Sequence, residues 1–411
     1  MPVSLTNGLH GGRALVIGGS MSGLFAGLLL RKAGWDVDIF ERVEGELSGR
    51  GAGIVAQPDL IAALNNLALV PRDLGVQVEK RRVFDAAGAM TLEGDCPQVM
   101  TAWERVYRLL RDAFPPERYH RGQSLQRFDD VGKSVIAHFT NGRRIEADLL
   151  IGADGLRSTV RQQCLPDVAP LYAGYVAWRA LIDEYAISPE THRDIFPYMA
   201  FCLPPGEQML GYPVAGPGDD LRPGYRRYNM VWYRPADERT ELARLLTDDG
   251  GVTHAISIPP HLIRKACLDD MRAAAHRLLA PQFVEIVELA AQPLLQPIYD
   301  LESPRMAFGR VALIGDAAFV ARPHVGAGVT KAAEDARELV DALSEANDVP
   351  QALLRFEQSR LRAGRRIIQR ARHLGAYLQA EQRTDEERSR SAQHSIPQAV
   401  MIETATLDFM R

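Results

Sequence analysis

Cysteine is scarce in this sequence. The four cysteines among 411 residues are Cys96, Cys164, Cys202 and Cys267, and no two of them form a C-x-x-C pair. Widely spaced single cysteines are typical of reduced thiols in a cytoplasm and do not predict a disulfide framework. The ten histidines form no H-x-x-x-H pair and no His/Cys cluster, so the sequence predicts no metal site.

Long apolar runs and blocks of one charge are also missing. No run reaches the roughly 20 apolar residues of a membrane span. The net charge of −4 comes without a basic block, which argues against a nucleic-acid partner. The first residues show no basic region followed by an apolar core, so we expect no signal peptide, no membrane contact and a cytoplasmic location. With 46% hydrophobic and 24% charged residues, the composition is that of an ordinary globular protein.

The stretch from Arg13 to Arg42 carries the strongest motif. An apolar run at 14–17 predicts a buried strand, and a glycine-rich turn follows it. Residues 24–32 then predict a helix and residues 37–40 a second strand, after which an acidic residue stands. Strand, glycine turn, helix, strand and acid make up the βαβ pattern that binds a dinucleotide. An ordinary βαβ unit with a glycine-rich turn is the alternative.

Each part of this motif has a physical role. Gly18 allows a tight turn, Gly23 allows the helix to pack closely on the strand, and Ser20 stands where the middle glycine is usual. The helix N-terminus offers N–H groups and a positive dipole end to a pyrophosphate. Glu41, followed by Arg42, lies where a carboxylate binds a ribose 2′-hydroxyl, which favours FAD or NAD over NADP.

Two more glycine-rich stretches follow predicted strands. DLLIGADGLRSTVR leads from a strand into Asp154 and Gly155, and in GRVALIGDAAFVARPHVGAGVTKAAEDA a strand ends at Asp316. Ligands bind at the C-terminal edge of a parallel sheet, so these residues are candidates for a polar-ligand site. A helix-capping role explains Asp154 equally well. Arg50 and Gly51, within SGRGAGIVAQPDL, suit either a backbone approached by a ligand or a flexible turn.

The middle of the chain has a different character. Residues 171–297 hold aromatic-rich, β-like segments separated by proline and glycine, which predicts an antiparallel substrate-binding sheet. For any single aromatic residue there, core packing is the simpler explanation. We therefore predict an α/β protein with a discontinuous dinucleotide-binding domain of residues 1–170 and 298–345. Residues 171–297 are the inserted domain, and residues 346–411 form a C-terminal helical region.

The three glycine-rich stretches, in this order, resemble the GxGxxG, DG and GD motifs of the single-component FAD-dependent aromatic hydroxylases. The resemblance implies a Rossmann-like FAD-binding domain with an inserted, mainly antiparallel β substrate domain and C-terminal helices. It implies that Gly18, Gly23 and Glu41 bind the ADP part of FAD. It also implies that Asp154–Gly155 serve FAD and the incoming nicotinamide, and that Asp316 binds the ribityl chain.

The turn after the GD motif is expected to face the flavin ring. The resemblance implies that backbone N–H groups there stabilise negative charge on the reduced flavin, through Gly326, Ala327, Gly328 and Val329. The preceding Arg322-Pro323-His324 departs from the Pro-Pro of the family. Together with SGRGAGIVAQPDL and YAGYVAWRALI, it resembles the dihydroxypyridine hydroxylase branch, which implies a substrate such as 2,6-dihydroxypyridine.

The resemblance implies a reaction in two halves. NAD(P)H reduces FAD, and O2 then gives a flavin C4a-hydroperoxide that hydroxylates a small aromatic ring bearing a hydroxyl group. That hydroxyl must lose its proton, and His324, beside Pro323, is the first candidate for the base. Tyr212 and Tyr175 are weaker candidates, and a loop histidine bonded to its surroundings is the simpler explanation of His324.

Other readings of the same motifs remain open. An FAD oxidase or dehydrogenase, and a flavin-binding sensor without catalysis, would need the same cofactor site. The chain has one dinucleotide fingerprint, so NADH or NADPH is expected to dock transiently as a co-substrate. A homodimer is the expected assembly.

Overall fold

The computed structural model describes residues 9, 11–47, 53–70, 73–407 and 409. Its strands, in chain order, are β1 (Arg13–Ile17), β2 (Asp36–Phe40), β3 (Gly53–Val55), β4 (Val76–Phe84), β5 (Met90–Ala102), β6 (Tyr119–His120), β7 (Leu125–Asp130), β8 (Val135–Phe139), β9 (Arg144–Ala147), β10 (Leu149–Gly152), β11 (Leu171–Asp183), β12 (Met199–Cys202), β13 (Gln208–Val214), β14 (Arg227–Pro235), β15 (Leu294–Glu302), β16 (Ala307–Phe308), β17 (Val311–Leu313) and β18 (Phe319–Val320).

The helices lie between and after these strands. In chain order they are α1 (Met21–Lys32), α2 (Pro58–Asn66), α3 (Trp103–Ala113), α4 (Thr159–Cys164), α5 (Pro189–Ile195), α6 (Ala243–Leu246), α7 (Lys265–Leu278), α8 (Pro281–Leu289), α9 (Gly328–Glu345), α10 (Val349–Leu374), α11 (Asp385–His394) and α12 (Pro397–Glu403). Among the described residues, none of these helices is long and apolar enough to cross a membrane.

The first sheet has six strands in the order β16-β17-β10-β1-β2-β6. β1 runs parallel to β2 and β10, and β10 runs parallel to β17. Residues 14–17 of β1 are all buried, as expected for a parallel strand covered on both faces. Helix α1 packs against α9, and α10 packs against α9 in turn. The predicted Rossmann-like α/β fold is therefore confirmed.

The second sheet has nine strands in the order β18-β15-β11-β14-β13-β12-β4-β5-β3. Its pairings are antiparallel except between β12 and β4. Side chains alternate along β14, so Tyr228 and Trp232 pack on one face with α7 and α8. Val231 and Tyr233 point to the opposite face, together with Tyr212 of β13. Strand alternation thus separates core aromatics from those that can reach a ligand.

Part of the nine-stranded sheet comes from the first third of the chain. Strands β3, β4 and β5 span residues 53–102, which the predicted boundaries assign to the dinucleotide-binding domain. Those boundaries stay a prediction. Strands β7, β8 and β9, within residues 125–147, form a separate three-stranded sheet.

Candidate active site

The first glycine turn joins β1 to α1. Gly18 has a φ of +108°, in the left-handed region that favours glycine, and its N–H donates to the Phe40 carbonyl at 2.8 Å. A Cβ on Gly23 would lie 1.9 Å from the Gly18 carbonyl oxygen. The turn and the close helix packing expected for these two glycines are therefore both present. Ser20 caps α1 without a side-chain capping bond, so its hydroxyl is available to a ligand.

Glu41 is buried and holds this turn. Its carboxylate accepts from the Gly19 N–H at 2.8 Å and from the Val43 N–H at 2.9 Å. Tyr119 donates its hydroxyl to the Gly19 carbonyl at 2.8 Å, and a Cβ on Gly19 would lie 2.2 Å from that hydroxyl oxygen. A side chain at position 19 would therefore displace Tyr119 from this turn. Sequence analysis missed this because the fingerprint leaves that position free.

A cavity of about 430 Å³, here called the nucleotide cleft, lies beside this turn. It is lined by Gly18, Ser20, Glu41, Arg42, Asp154 and Gly155 of the first two motifs and by Trp103 at the start of α3. The structure thus brings together six residues that the sequence had predicted to bind the cofactor. Trp103 stacks on Tyr107 of the same helix, with ring centroids 5.1 Å apart.

Asp154 acts as a cap for α4. Its carboxylate accepts from the Thr159 N–H at 2.7 Å and from the hydroxyl of Ser158. Burial raises the pKa of Asp154, and these hydrogen bonds oppose the rise. The capping explanation therefore applies to this residue, although it also lines the nucleotide cleft. Arg161, on the same helix, donates to the Ala317 carbonyl at 3.0 Å and so links the DG segment to the GD turn.

Asp316 follows Gly315 in a short 3-10 turn after β17. The Gly315 N–H donates to the Asp335 carboxylate of α9 at 2.9 Å, which fixes the turn. Much of the Asp316 residue is exposed to solvent, but the protein groups around its carboxylate partly desolvate it and raise its pKa. The buried ammonium group of Lys331 opposes that rise and lies 3.6 Å from Asp335. Asp316 is thus a carboxylate presented beside the N-terminal turn of α9.

A second cavity of about 160 Å³, here called the ring pocket, lies between the nine-stranded sheet and the start of α9. The sheet contributes Gly53, Ile54, Val55, Arg179, Met199, Leu210, Tyr212, Val231 and Tyr233. The remaining lining residues are Pro323, His324, Gly326, Gly328, Val329, Thr404 and Ala405. The predicted catalytic residues therefore lie in one pocket with Gly326, Gly328 and Val329, which belong to the glycine turn after the GD motif, here called the second glycine turn. Ala327, in the same turn, is the N-cap of α9.

His324 is buried and bonded. Its Nε2 lies 2.9 Å from the Tyr175 hydroxyl, and the Tyr233 ring centroid is 4.3 Å from the imidazole centroid. Burial and the nearby Arg322 guanidinium lower the pKa of His324 to about 3. Nδ1 is also buried and has no hydrogen-bond partner in the described part of the chain. The imidazole is therefore neutral at neutral pH.

Arg322 anchors the turn that carries His324. Its guanidinium bonds to the Asp300 carboxylate at 2.9 Å, and both side chains are almost completely buried. The same guanidinium lies 5.7 Å from the Tyr175 ring centroid. The departure from the family's Pro-Pro therefore introduces a buried ion pair behind the ring pocket.

Arg179 is a pocket residue that sequence analysis missed. Its Nη1 donates to the Gln296 side chain at 2.8 Å. Its positive charge opposes the effect of burial on two neighbouring phenols, the pKa of Tyr233 rising to about 12 and that of Tyr212 also rising. Strand alternation could have identified it, because Tyr175 and Arg179 are four residues apart on β11 and share a face.

Two of the predicted cofactor-binding residues, Arg50 and Gly51, fall outside the described residues. Within the described ranges, no group of three or more His, Cys, Asp or Glu side chains is arranged to hold a metal ion.

The residues present fit a dinucleotide cofactor. The turn at Gly18 and Gly23 leaves no room for side chains, the Ser20 hydroxyl is free of a capping bond, and a cleft opens beside both. Asp316 and the glycine turn at 326–328 offer a carboxylate and backbone N–H groups farther along. Such a set would hold the nucleotide half of FAD at the first turn and the flavin half at the second.

Comparison with known proteins agrees with this fit. A family model described as FAD binding domain matches residues 13–169 and 297–371, and a model described as FAD binding domain-like matches residues 172–300. The chain is 33% identical to 2,6-dihydroxypyridine 3-monooxygenase of Paenarthrobacter nicotinovorans, over 89% of this chain and 91% of that protein. It is 31% identical to 3-amino-4-hydroxybenzoate 2-monooxygenase of Streptomyces cremeus, over 88% and 86%.

A solved structure resembles the whole architecture. 2,6-Dihydroxypyridine-3-hydroxylase from Arthrobacter nicotinovorans superposes with a TM-score of 0.85 at 31% identity, covering 91% of this chain and 94% of that chain. The predicted cofactor and reaction class are confirmed together with the fold. This chain belongs to the single-component FAD-dependent aromatic hydroxylases, and it is an FAD-dependent monooxygenase with NAD(P)H as co-substrate.

Proposed function

We propose that this enzyme hydroxylates a hydroxypyridine such as 2,6-dihydroxypyridine in the ring pocket. The observation that carries this proposal is the size of the pocket, which has a volume of about 160 Å³. A cavity of about 150 Å³ accommodates benzene, so the pocket suits one aromatic ring with small substituents. The two relatives compared above are named for substrates with a single ring.

The cofactor and the protein have separate tasks. Bound FAD supplies the redox chemistry, taking reducing equivalents from NAD(P)H and activating O2. The protein must bind the ring, exclude water and stabilise the ionised hydroxyl that makes the ring electron-rich. Tyr212 and Tyr233 provide aromatic walls, and both are buried.

Arg179 is the group in this proposal that stabilises the substrate anion. It is the cationic side chain among the ring-pocket lining residues, and its charge already influences the pKa of Tyr212 and of Tyr233. A nearby cation lowers the pKa of an acidic hydroxyl, so a hydroxypyridine bound beside Arg179 ionises more readily. Loss of the substrate proton then depends less on a protein base.

His324 has a different place in the proposal. Its Nε2 is shared with Tyr175, its Nδ1 is buried, and its pKa is lowered to about 3. A group with so low a pKa is a weak base at neutral pH, which favours the structural explanation over general-base action. The catalytic roles of His324, Pro323 and Tyr212, with His324 as the first candidate for the base, stay predictions.

The experiment is a ligand titration of the holoenzyme. Addition of 2,6-dihydroxypyridine is expected to perturb the flavin absorbance and to stimulate NADH or NADPH consumption with hydroxylated product. Arg179→Gln should weaken binding about 10- to 100-fold, since a hydrogen bond to a charged group contributes about 1.5–3 kcal/mol. Arg193→Gln, at an exposed arginine, is the matched control.

The titration also tests the proposal against its competitors. If no hydroxypyridine stimulates turnover, the proposed substrate class is wrong. NAD(P)H-independent oxidation of a non-aromatic compound would instead favour an oxidase on the same fold. The preference between NADH and NADPH, a homodimer and a cytoplasmic location stay predictions.

A further inference from the structure

The C-terminal end of the described chain reaches the ring pocket. Helix α12 is followed by residues 404–407, here called the strap. Thr404 and Ala405 line the ring pocket, whereas Thr406 and Leu407 line a neighbouring cavity of about 590 Å³. Consecutive residues thus face two cavities, which makes the strap the partition between them. Both family matches end before this part of the chain, at residues 300 and 371.

Hydrogen bonds clamp the strap at one residue. The Ala405 N–H donates to the His324 carbonyl at 2.7 Å. The Ala405 carbonyl accepts from the Gln57 side chain at 2.8 Å and from the Gln98 side chain at 3.0 Å. Ala405 has a φ of +54°, which alanine adopts only where its surroundings impose it. The clamp therefore fixes a backbone conformation that the residue would not choose alone.

The helix before the strap is anchored in the same way. Arg81 is almost completely buried on β4 and donates to the Met401 carbonyl of α12. Its other terminal nitrogen donates to the Gln98 side chain at 2.6 Å. One polar network, from β4 and β5, thus holds α12 and the strap together.

The strap also packs closely against the second glycine turn, at residues 326–328. A Cβ on Gly326 would lie 2.9 Å from both the Cα and the Cβ of Ala405. Gly326 is in the left-handed conformation, with a φ of +62°. The strap therefore packs directly against the glycine turn at residues 326–328, which is expected to face the flavin ring. No room is left for a side chain between the strap and this turn.

We propose that the strap is a specificity-determining wall of the ring pocket, with Gln57 and Gln98 as its positioning residues. By closing off the larger neighbouring cavity, it limits the substrate to a single ring and excludes fused two-ring compounds. This rests on the proposed function, in which the ring pocket holds the aromatic substrate. In the same way it holds the turn at His324 and Gly326 in place from the outside.

The test compares ligands of two sizes on the holoenzyme. Dissociation constants are measured from the flavin absorbance change for a hydroxypyridine and a hydroxyquinoline, and for phenol and naphthol. The wild type is expected to bind the single ring of each pair and to reject the double ring. In the double variant Gln57→Ala/Gln98→Ala, the buried Ala405 carbonyl loses its donors and the strap is displaced. Each lost bond is worth roughly a fivefold factor, so discrimination should fall roughly 25-fold.

A second variant and a matched control sharpen the test. Ala405→Val places a β-branched residue in a left-handed conformation against Gly326, so it should displace the strap and lower discrimination as well. Gln77→Ala removes a glutamine that lines the neighbouring cavity and makes no bond to the strap, and it should leave the ratio unchanged. FAD content and product formed per NAD(P)H are measured alongside, because a displaced strap should also lower coupling.

The outcomes separate the two proposals. If the strap variants retain FAD and their size discrimination equals that of the wild type, the strap is not a wall and this inference fails. If neither strap variant retains FAD while Gln77→Ala does, the strap supports the fold and the inference also fails. If the wild type ignores every hydroxypyridine but discriminates phenol from naphthol, the proposed substrate class fails and the strap inference survives.

Discussion

The nucleotide cleft and the ring pocket differ in how the chain supplies their lining residues. The cleft draws many of its lining residues from short contiguous motifs, such as the turn at Gly18 and the segments at Glu41 and Asp154. The ring pocket is formed by side chains from separate parts of the chain, such as Arg179, Tyr233 and Ala405. Short motifs are enough to hold a cofactor that the whole family shares. The choice of substrate, in contrast, depends on side chains from separate parts of the chain.

The two sites also differ in electrostatics. In the nucleotide cleft, backbone N–H groups and a helix N-terminus meet a carboxylate, as in the bonds from Gly19 and Val43 to Glu41. In the ring pocket, burial lowers the pKa of His324 to about 3 and raises that of Tyr233 to about 12. Charged forms are therefore disfavoured in the pocket, except where Arg179 can compensate a negative one.

The largest expected effect is a loss of FAD binding when the glycine turn of the nucleotide cleft is disrupted. Gly23→Val should abolish FAD binding, because even its Cβ would lie 1.9 Å from the Gly18 carbonyl. Displacing α1 from β1 costs about 1–3 kcal/mol or more in overpacking. The measurement is the ratio of flavin to protein absorbance after desalting, together with Tm. Gly45→Val, where nothing lies within 4 Å, is the control. Full flavin content in Gly23→Val would contradict the close-packed turn.

A smaller effect is expected at the carboxylate of the same cleft. Glu41→Gln keeps the shape but replaces a charged acceptor of two backbone N–H bonds. Bonds to charged groups contribute about 1.5–3 kcal/mol, so FAD should bind roughly 10- to 100-fold more weakly. Fluorescence titration of apoprotein with FAD measures this, with the exposed Glu44→Gln as the control. Equal affinities in the two variants would remove Glu41 from the cofactor site.

This difference between the two sites explains which parts of the fold could be predicted from the sequence. Local patterns predicted β1, α1, β2 and β10 because a parallel strand is uniformly apolar and its glycine turn is contiguous. The antiparallel sheet was also predictable as a class, from its aromatic and proline content. Its membership was not, since strands β3 to β5 join it from the first third of the chain.

The ring pocket could be predicted only in part. Pro323, His324 and Tyr212 were found because they stood beside a motif or within an aromatic segment, and all three line the pocket. Arg179 and Ala405 were missed. Arg179 lies within YAGYVAWRALI but was not singled out there, Ala405 lies in no motif, and the proximity of the two depends on long-range contacts. The buried state of His324, which lowers its pKa, depends on Tyr175 and Arg322 and could not be inferred from local sequence.

The expected effect at His324 is the smallest for FAD binding and hydroxylation, because it changes stability and depends on pH. The folded-state pKa is about 3, against 6.5 for an unperturbed histidine, so the unfolded chain binds more protons below pH 6.5. Wild-type stability should therefore fall as the pH decreases from 7 towards 3. Between pH 7 and pH 5 this one group should lower the free energy of unfolding by about 2 kcal/mol. His324→Gln cannot titrate and should lose less stability over the same interval.

Urea unfolding at pH 7 and pH 5 measures this difference, with the exposed His261→Gln as the control. Coupling, as product formed per NAD(P)H, is measured on the same proteins. A buried structural imidazole predicts a pH effect on stability and near-normal coupling in His324→Gln, because Gln retains a hydrogen-bonding group next to Tyr175. General-base action predicts instead a loss of about 10²–10⁴-fold in hydroxylation rate with release of hydrogen peroxide. If the free energy of unfolding depended on pH in the same way in wild type and His324→Gln, the imidazole would not be buried in its neutral form. The electrostatic difference between the nucleotide cleft and the ring pocket would then be smaller than described above.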